Sequence, residues 1–349
     1  MPGKSSQTSN LAGQPPKPAE LGLSVVVPVF NEAAGLPALH RRICEVLDRV
    51  RGSRGLRSEI IYVDDGSRDA SLAIARELPA AAADVQVIAL SRNFGKEAAL
   101  LAGLEHARLP AVLFMDGDGQ HPPDLIATLV SHWLDDGYDV VYTAKANREN
   151  EPLLRRIGVK TFYSVINWGA RQKIPEDAGD FRLLAPRAVE ALRQLPERNR
   201  FFKGLASWIG FRQIRVDYEP AQRAHGATTF KLPSLIGLSI EGLTSFSVAP
   251  LRLASLLGLL LAASALVFGG IILVQTLVYE ESVPGYPSLI VGLMVLGGVQ
   301  LIMIGIMGEY IGKILSELKQ RPVYFVAEHS LKSADASKRE TEPAQAAAE

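Results

Sequence analysis

Two long apolar runs limit what this chain can fold into. They extend from about Leu253 to Val278 and from about Ser288 to Gly308. Each is near the ~20 residues that carry a helix across a bilayer. A buried core hairpin is the alternative, but the runs lack charge and exceed the length of ordinary core helices. The linker between them, Tyr279 to Pro287, holds Glu280 and Glu281 and no base, whereas Arg252 flanks one side and Lys313, Lys319 and Arg321 the other. The positive-inside rule then puts both flanks in the cytoplasm and the acidic linker outside. Residues 1–20 are polar and proline-containing, and read as a disordered tail with no signal peptide. Lysine plus arginine and aspartate plus glutamate each total 37, which argues against a nucleic-acid binder. The single cysteine, Cys44, excludes an internal disulfide and fits a reducing compartment.

From Leu21 to about Val141 strand and helix signals alternate. The apolar segments 23–30, 59–65, 85–90, 111–116 and 139–144 read as strands. Between them, helical patterns cover about 36–50, 70–78, 96–107 and 123–134. Such alternation predicts an α/β fold, a mainly parallel sheet with helices on both faces, whose ligands bind at the carboxyl ends of the strands. Three of those ends carry acids. The first reads Pro28-Val29-Phe30-Asn31-Glu32 and the second Asp64-Asp65-Gly66-Ser67. The fourth reads Met115-Asp116-Gly117-Asp118-Gly119-Gln120-His121. Residues two apart on a strand share a face, so Asp116 and Asp118 are expected to converge. Like charges that close need something positive between them, and a hard divalent cation suits carboxylate oxygens. The second end also reads as a turn and helix cap.

Beyond the fifth strand, Lys145, Arg148, Arg155 and Arg156 form either a solvated basic face or a phosphate site. The segment 177–184, "DAGDFRLL", brings Asp180 and Arg182 together, and Arg223 and Lys231 flank a small stretch that is either a loop or a lid over an anion. Two helical segments, 232–243 and 244–251, suggest helices lying on a bilayer surface. His106, His132 and His225 read as surface residues, with His121 open because it adjoins the acids.

In order, "VVVPVFNE", "VDDGSRD", "SRNFGKEAAL", "MDGDGQHPP", "DAGDFRLL" and "LPERNRFFKGLASWIGF" resemble the polyprenyl-phosphate glycosyltransferases of glycosyltransferase family 2. The similarity is to dolichyl-phosphate-mannose synthase and, more closely, to bacterial bactoprenol (undecaprenyl-phosphate) glucosyltransferases. It covers roughly residues 22–320. It implies a GT-A catalytic domain over 21–231, juxtamembrane helices over 232–251, a membrane hairpin over 252–312 and a cytoplasmic tail over 313–349. Pro28, Phe30, Glu32, Asp64, Asp65 and Asp116 would line the nucleotide site. Asp116, Asp118 and Gln120 would hold Mg²⁺ or Mn²⁺, and Asp118 and Asp180 would serve catalysis, Asp180 as a base or an orienting group. Arg148, Arg155, Arg223 and Lys231 would meet phosphates, although Thr229 stands where the family's loop lysine is expected. The implied reaction is inverting transfer of one hexose, glucose from UDP-glucose first, to polyprenyl phosphate at the bacterial cytoplasmic membrane.

GDP-mannose is the alternative donor, and a non-catalytic nucleotide-binding tether the alternative class. A processive synthase would need more membrane helices and a "QxxRW"-type motif, which the chain lacks. Gly292, Gly297, Gly298 and Gly305 in the second run permit close packing, within the hairpin or between copies in a homo-oligomer.

Overall fold

The computed structural model describes residues 21–145, 178–198, 202–219, 249–278 and 285–334. Arg148, Arg155, Arg223, Lys231 and the surface helices expected before residue 249 lie outside them. The strands are β1 (Gly22–Val29), β2 (Arg57–Asp64), β3 (Asp84–Leu90), β4 (Ala111–Phe114), β5 (Val140–Lys145), β6 (Ala178–Leu184), β7 (Gln213–Tyr218) and β8 (Val326–Lys332). Between and after them run α1 (Leu36–Arg54), α2 (Ser71–Glu77), α3 (Lys96–His106), α4 (Leu125–Leu134), α5 (Pro186–Gln194), α6 (Phe202–Trp208), α7 (Ala249–Val278) and α8 (Tyr286–Leu318).

One eight-stranded sheet has the order β7-β5-β6-β4-β1-β2-β3-β8. Strand β1 lies parallel to both β2 and β4, and β2 lies parallel to β3. The expected mainly parallel sheet is therefore present. Its central strand is the β-branched run "VVV", in which Val25, Val26 and Val27 are fully buried, as a strand covered on both faces requires. One face packs Leu36, Ile43, Leu47, Ile126 and Leu129 from α1 and α4; the other packs Ala99, Leu100 and Leu104 from α3 with Ala188 and Leu205. Helix α3 sits very close to the sheet, because a Cβ on Gly103 would fall 2.2 Å from a methyl of Val26.

Three strands depart from the expectation. Strand β6 runs antiparallel to both β4 and β5, which lets the "DAGDFRLL" segment cross the site edge. Strand β7 pairs parallel with β5. Strand β8 falls inside the stretch expected to be a cytoplasmic tail, and pairs antiparallel with β3. It shows no apolar alternation because it is an edge strand with nearly all its residues exposed. The fourth strand also ends early, at Phe114 rather than Asp116. Asp116 and Asp118 thus share a loop, not a strand face. Gly117 turns that loop against β1, where a Cβ would meet the Pro28 carbonyl oxygen at 2.8 Å, and Gly119 adopts φ +72°.

Helices α7 and α8 contain apolar windows, Ala254–Ile272 and Ser288–Leu318, long enough to cross a membrane. Apart from Ala254 at its start, neither window has a residue buried within the protein among those described, which disposes of the core-hairpin alternative. Leu266, Leu293 and Met294 are at least two-thirds exposed, an apolar surface of the kind that marks a membrane or protein contact.

The turn after β2 gives a direct test of the packing. Gly66 has φ +72°, and a Cβ there would lie 2.6 Å from the Asn93 backbone nitrogen. Gly66→Ala should cost about 1–3 kcal/mol, from left-handed strain and the clash together. The expected readout is a lowered melting temperature of the detergent-solubilised protein.

Candidate active site

The loops at the carboxyl ends of β1 and β2 are knitted together by side chains. Asn31 takes the left-handed conformation, φ 57°. Its backbone N–H donates to Ser67 Oγ (3.0 Å), and its Oδ1 accepts from the Arg68 N–H (2.8 Å). The Glu32 N–H donates to Ser71 Oγ (2.8 Å), so Glu32 is held half-buried beside the cleft. Pro28 is half-buried, and Phe30 is 44% exposed, an unusual position for a large aromatic ring at a strand end.

The adjacent carboxylates Asp64 and Asp65 are both buried but do different things. Asp65 accepts the Phe94 N–H (2.7 Å) and the Gly95 N–H (3.0 Å), fixing the loop that enters α3. Burial pushes its pKa above the usual carboxylate value despite those donors. Asp64 Oδ2 accepts the Ser67 N–H (3.1 Å), while Oδ1 is buried with no hydrogen-bond partner among the described residues. A buried acceptor left like this is expensive unless a ligand donor meets it.

The centre of the site is a chain of charges. Lys96, the first residue of α3, places Nζ 2.5 Å from Asp116 Oδ1 and 2.5 Å from Asp180 Oδ2. Lys203 Nζ lies 3.1 Å from the other oxygen of Asp180. Asp180 and Arg182 are two apart on β6, so their side chains start from one face. Arg182 is buried and donates to the Gly179 carbonyl (2.8 Å) and more weakly to that of Phe202 (3.4 Å), tying β6 to the start of α6 and hence to Lys203. Burial works against ionisation of Asp180, but Lys96 and Lys203 outweigh it and hold the carboxyl well below the usual range. Burial likewise opposes ionisation of Asp116, where Lys96 and His121 prevail. Lys96 in turn is raised: burial lowers it, and Asp180 with Asp116 more than compensates.

His121, left open from sequence, is a buried member of the site. Its Nε2 lies 3.2 Å from Asp116 Oδ2 and its Nδ1 2.9 Å from the Tyr218 hydroxyl. A neutral ring satisfies both contacts, donating to the carboxylate and accepting from the phenol. Asp118 accepts the Gln120 backbone N–H (3.1 Å) and its side-chain amide (2.9 Å). Among the described residues no group of three or more His, Cys, Asp or Glu side chains is assembled to hold a metal. Two neighbouring carboxylates and an amide still fit Mg²⁺ or Mn²⁺, which often take one or two protein carboxylates and complete their shell with substrate phosphates and water.

Lys96, Lys203, Glu97 and Tyr218 were not singled out by their sequence positions. Lys96 did carry a signal, since a cation in the first turn of a helix opposes the helix dipole and calls for another purpose. Glu97 accepts the Phe202 N–H (3.0 Å), linking α3 to α6. Burial first, then Asp180, pushes its pKa from 4.5 up to about 7. A carboxyl raised on folding contributes stability that is full below its unfolded value and is lost as pH rises through the folded one. Stability should therefore fall between pH 4.5 and about 7 through this group. Glu97→Gln, which keeps an acceptor for Phe202, should flatten that part of a melting-temperature profile.

The sequence profile of Glycosyl transferase family 2 matches residues 24–192. The bactoprenol glucosyl transferase of the SfII prophage in Shigella flexneri is 40% identical over 304 residues, 87% of this chain and 97% of that one. An uncharacterized glycosyltransferase of Synechocystis is 40% identical over 306 residues, covering 88% and 95%. The solved structure of a Pyrobaculum calidifontis mannosyltransferase in complex with GDP-Man and Mn²⁺ aligns with a TM-score of 0.43 at 17% identity, over 88% of this chain and 90% of that one. The chain belongs to glycosyl transferase family 2 and is a glycosyltransferase, and its mostly parallel sheet is the GT-A architecture that the motifs implied.

Proposed function

We propose that this enzyme transfers one hexose, glucose from UDP-glucose, to polyprenyl phosphate at the cytoplasmic face of a bacterial membrane. The observation that carries this reading is the presence, in one chain, of an acid and lysine cluster at the strand ends and two exposed helices of membrane-spanning length. The near full-length similarity to a protein named a bactoprenol glucosyl transferase supports the sugar and the lipid. Arg252 on one flank and Lys313, Lys319 and Arg321 on the other, against the acidic linker, support a cytoplasmic catalytic domain.

In this reading the nucleotide lies across the ends of β1 and β2. The exposed ring of Phe30 offers a stacking surface, Pro28 and Glu32 border it, and the unpartnered Asp64 Oδ1 accepts an N–H of the base. Asp65 serves the nucleotide indirectly, through the loop it fixes. Asp116, Asp118 and Gln120 would hold a divalent cation, which supplies charge neutralisation for the departing diphosphate. Arg148, Arg155, Arg223 and Lys231 are proposed to receive donor or acceptor phosphates.

The acceptor's phosphate oxygen is already anionic at neutral pH, so the attack needs no general base. It forms the new bond to the anomeric carbon as the bond to the nucleoside diphosphate breaks, and in-line geometry inverts that carbon. Asp180 is paired with two lysines and held ionised, which makes it a poor proton acceptor. Its role is to orient: it holds Lys96 and Lys203 at the place where two anions must meet.

The test uses detergent-purified protein, undecaprenyl phosphate, Mg²⁺ or Mn²⁺ and radiolabelled nucleotide sugars including UDP-glucose and GDP-mannose. Label should pass into the organic phase from UDP-glucose and vanish with chelator. Asp118→Asn should lower turnover by about 10²–10³-fold while membrane association persists. No label from any donor would overturn the reading and favour a tether, and undiminished turnover in Asp118→Asn would contradict the metal-holding role proposed for Asp118.

A further inference from the structure

The chain does not trail away from the second apolar helix. At its end the Lys319 N–H donates to the Leu315 carbonyl (3.1 Å) and the Gln320 N–H to that of Glu317 (3.2 Å). Gln320 then adopts φ 51°, a left-handed turn that ends the helix. The segment so released is gripped at two places. The Arg198 N–H donates to both carboxylate oxygens of Glu317 (3.1 and 3.3 Å), and the Arg198 guanidinium to the Arg321 carbonyl (2.8 Å). The Phe325 carbonyl accepts the Ser91 N–H (2.9 Å), and its ring lies 6.4 Å from that of Phe94. The Tyr324 hydroxyl donates to Glu105 on α3, after which β8 pairs along β3.

These two grips fall on the stretches that carry the two lysines of the site. Ser91 to Gly95 leads directly into Lys96, and its far side is pinned by Asp65. Arg198 stands shortly before Lys203 in the chain. Ser91, Arg92 and Asn93 are exposed, and the loop is held by the hydrogen bonds to Asp65 and Phe325 beside its packing against Gly66 and the seat of Phe94 on the core. We infer that Glu317–Phe325 is a positioning segment, which sets Lys96 and Lys203 against Asp180 and ties their placement to the seat of α8 in the bilayer. The inference rests on the membrane-bound transferase reading. Helix α8 has 33 residues, about 50 Å at the usual rise, whereas the hydrocarbon core needs about 30 Å. Its last turns, with Glu309, Lys313 and Glu317 at four-residue spacing, therefore emerge on the side of the catalytic domain. A role confined to covering the β3 edge would require β8 alone. It would not require a short, bonded joint.

The decisive variant inserts Gly-Gly-Ser-Gly between Gln320 and Arg321 in the full-length protein, keeping α8 and β8. In lipid nanodiscs, kcat should fall about tenfold or more with KM for the nucleotide sugar nearly unchanged, because misplacement of the lysines damages the transition state more than donor binding. Amide exchange over 91–98 should quicken. Glu317→Ala should lower kcat in the same way, and Glu317→Gln should restore much of it, since the amide oxygen still accepts from Arg198. Wild-type kcat in the insertion variant, or equal loss in both Glu317 variants, would overturn the inference. Should the insertion variant not fold, the Glu317 pair decides alone. If the wild-type protein transfers no sugar, the transferase reading fails, and the exchange comparison separately reports whether the joint orders the loop.

Discussion

The contact on which the rest of the site depends is the double grip on Asp180. One carboxylate oxygen meets Lys96 and the other Lys203, while Lys96 reaches on to Asp116. Four separate stretches of chain are thereby held at one point: β6, the start of α3, the start of α6 and the loop after β4. A partly buried charge is tolerable only while its partners remain, so each of these groups needs the others. The arrangement also answers the charge problem posed by Asp116 and Asp118. Lys96 offsets the repulsion on one side, and the Gln120 donors satisfy Asp118 on the other.

Much of this was legible in the sequence, and the reasons differ by element. Strands β1 to β5 announce themselves because buried parallel strands are continuous apolar runs. The acids at their carboxyl ends mark the cleft through the general rule for such sheets. Strand β6 is legible only as a motif, since Asp180 and Arg182 interrupt its apolar pattern. Strand β8 is not legible in the sequence because its exposed edge residues, such as Glu328 and His329, read as tail. Asp116 and Asp118 lie in a loop beyond the strand end, where Gly117 passes close to the Pro28 carbonyl and needs to have no side chain. Lys96 and Lys203 gave weak signals because a lysine is ordinarily a solvated residue, and only tertiary packing brings these two to one carboxylate.

The architecture also explains how a soluble donor and an insoluble acceptor are brought together in the proposed reaction. The sheet presents its loaded strand ends on one side, and α8 joins the same domain through Glu317, Arg321 and Phe325. The long apolar helix is therefore continuous with the catalytic framework, with no free linker between α8 and β8 among the described residues. Part-buried and exposed hydrogen bonds carry that continuity, together with Val323 and Tyr324 packed against the core.

The most direct test of the account is the turnover of Lys96→Met, with donor binding measured alongside by calorimetry. If Lys96 holds Asp180 and Asp116 in place for the transfer, kcat should fall by about 10²-fold or more while the folded protein still binds the nucleotide sugar. Turnover within about threefold of wild type would contradict the claim that this lysine organises the site.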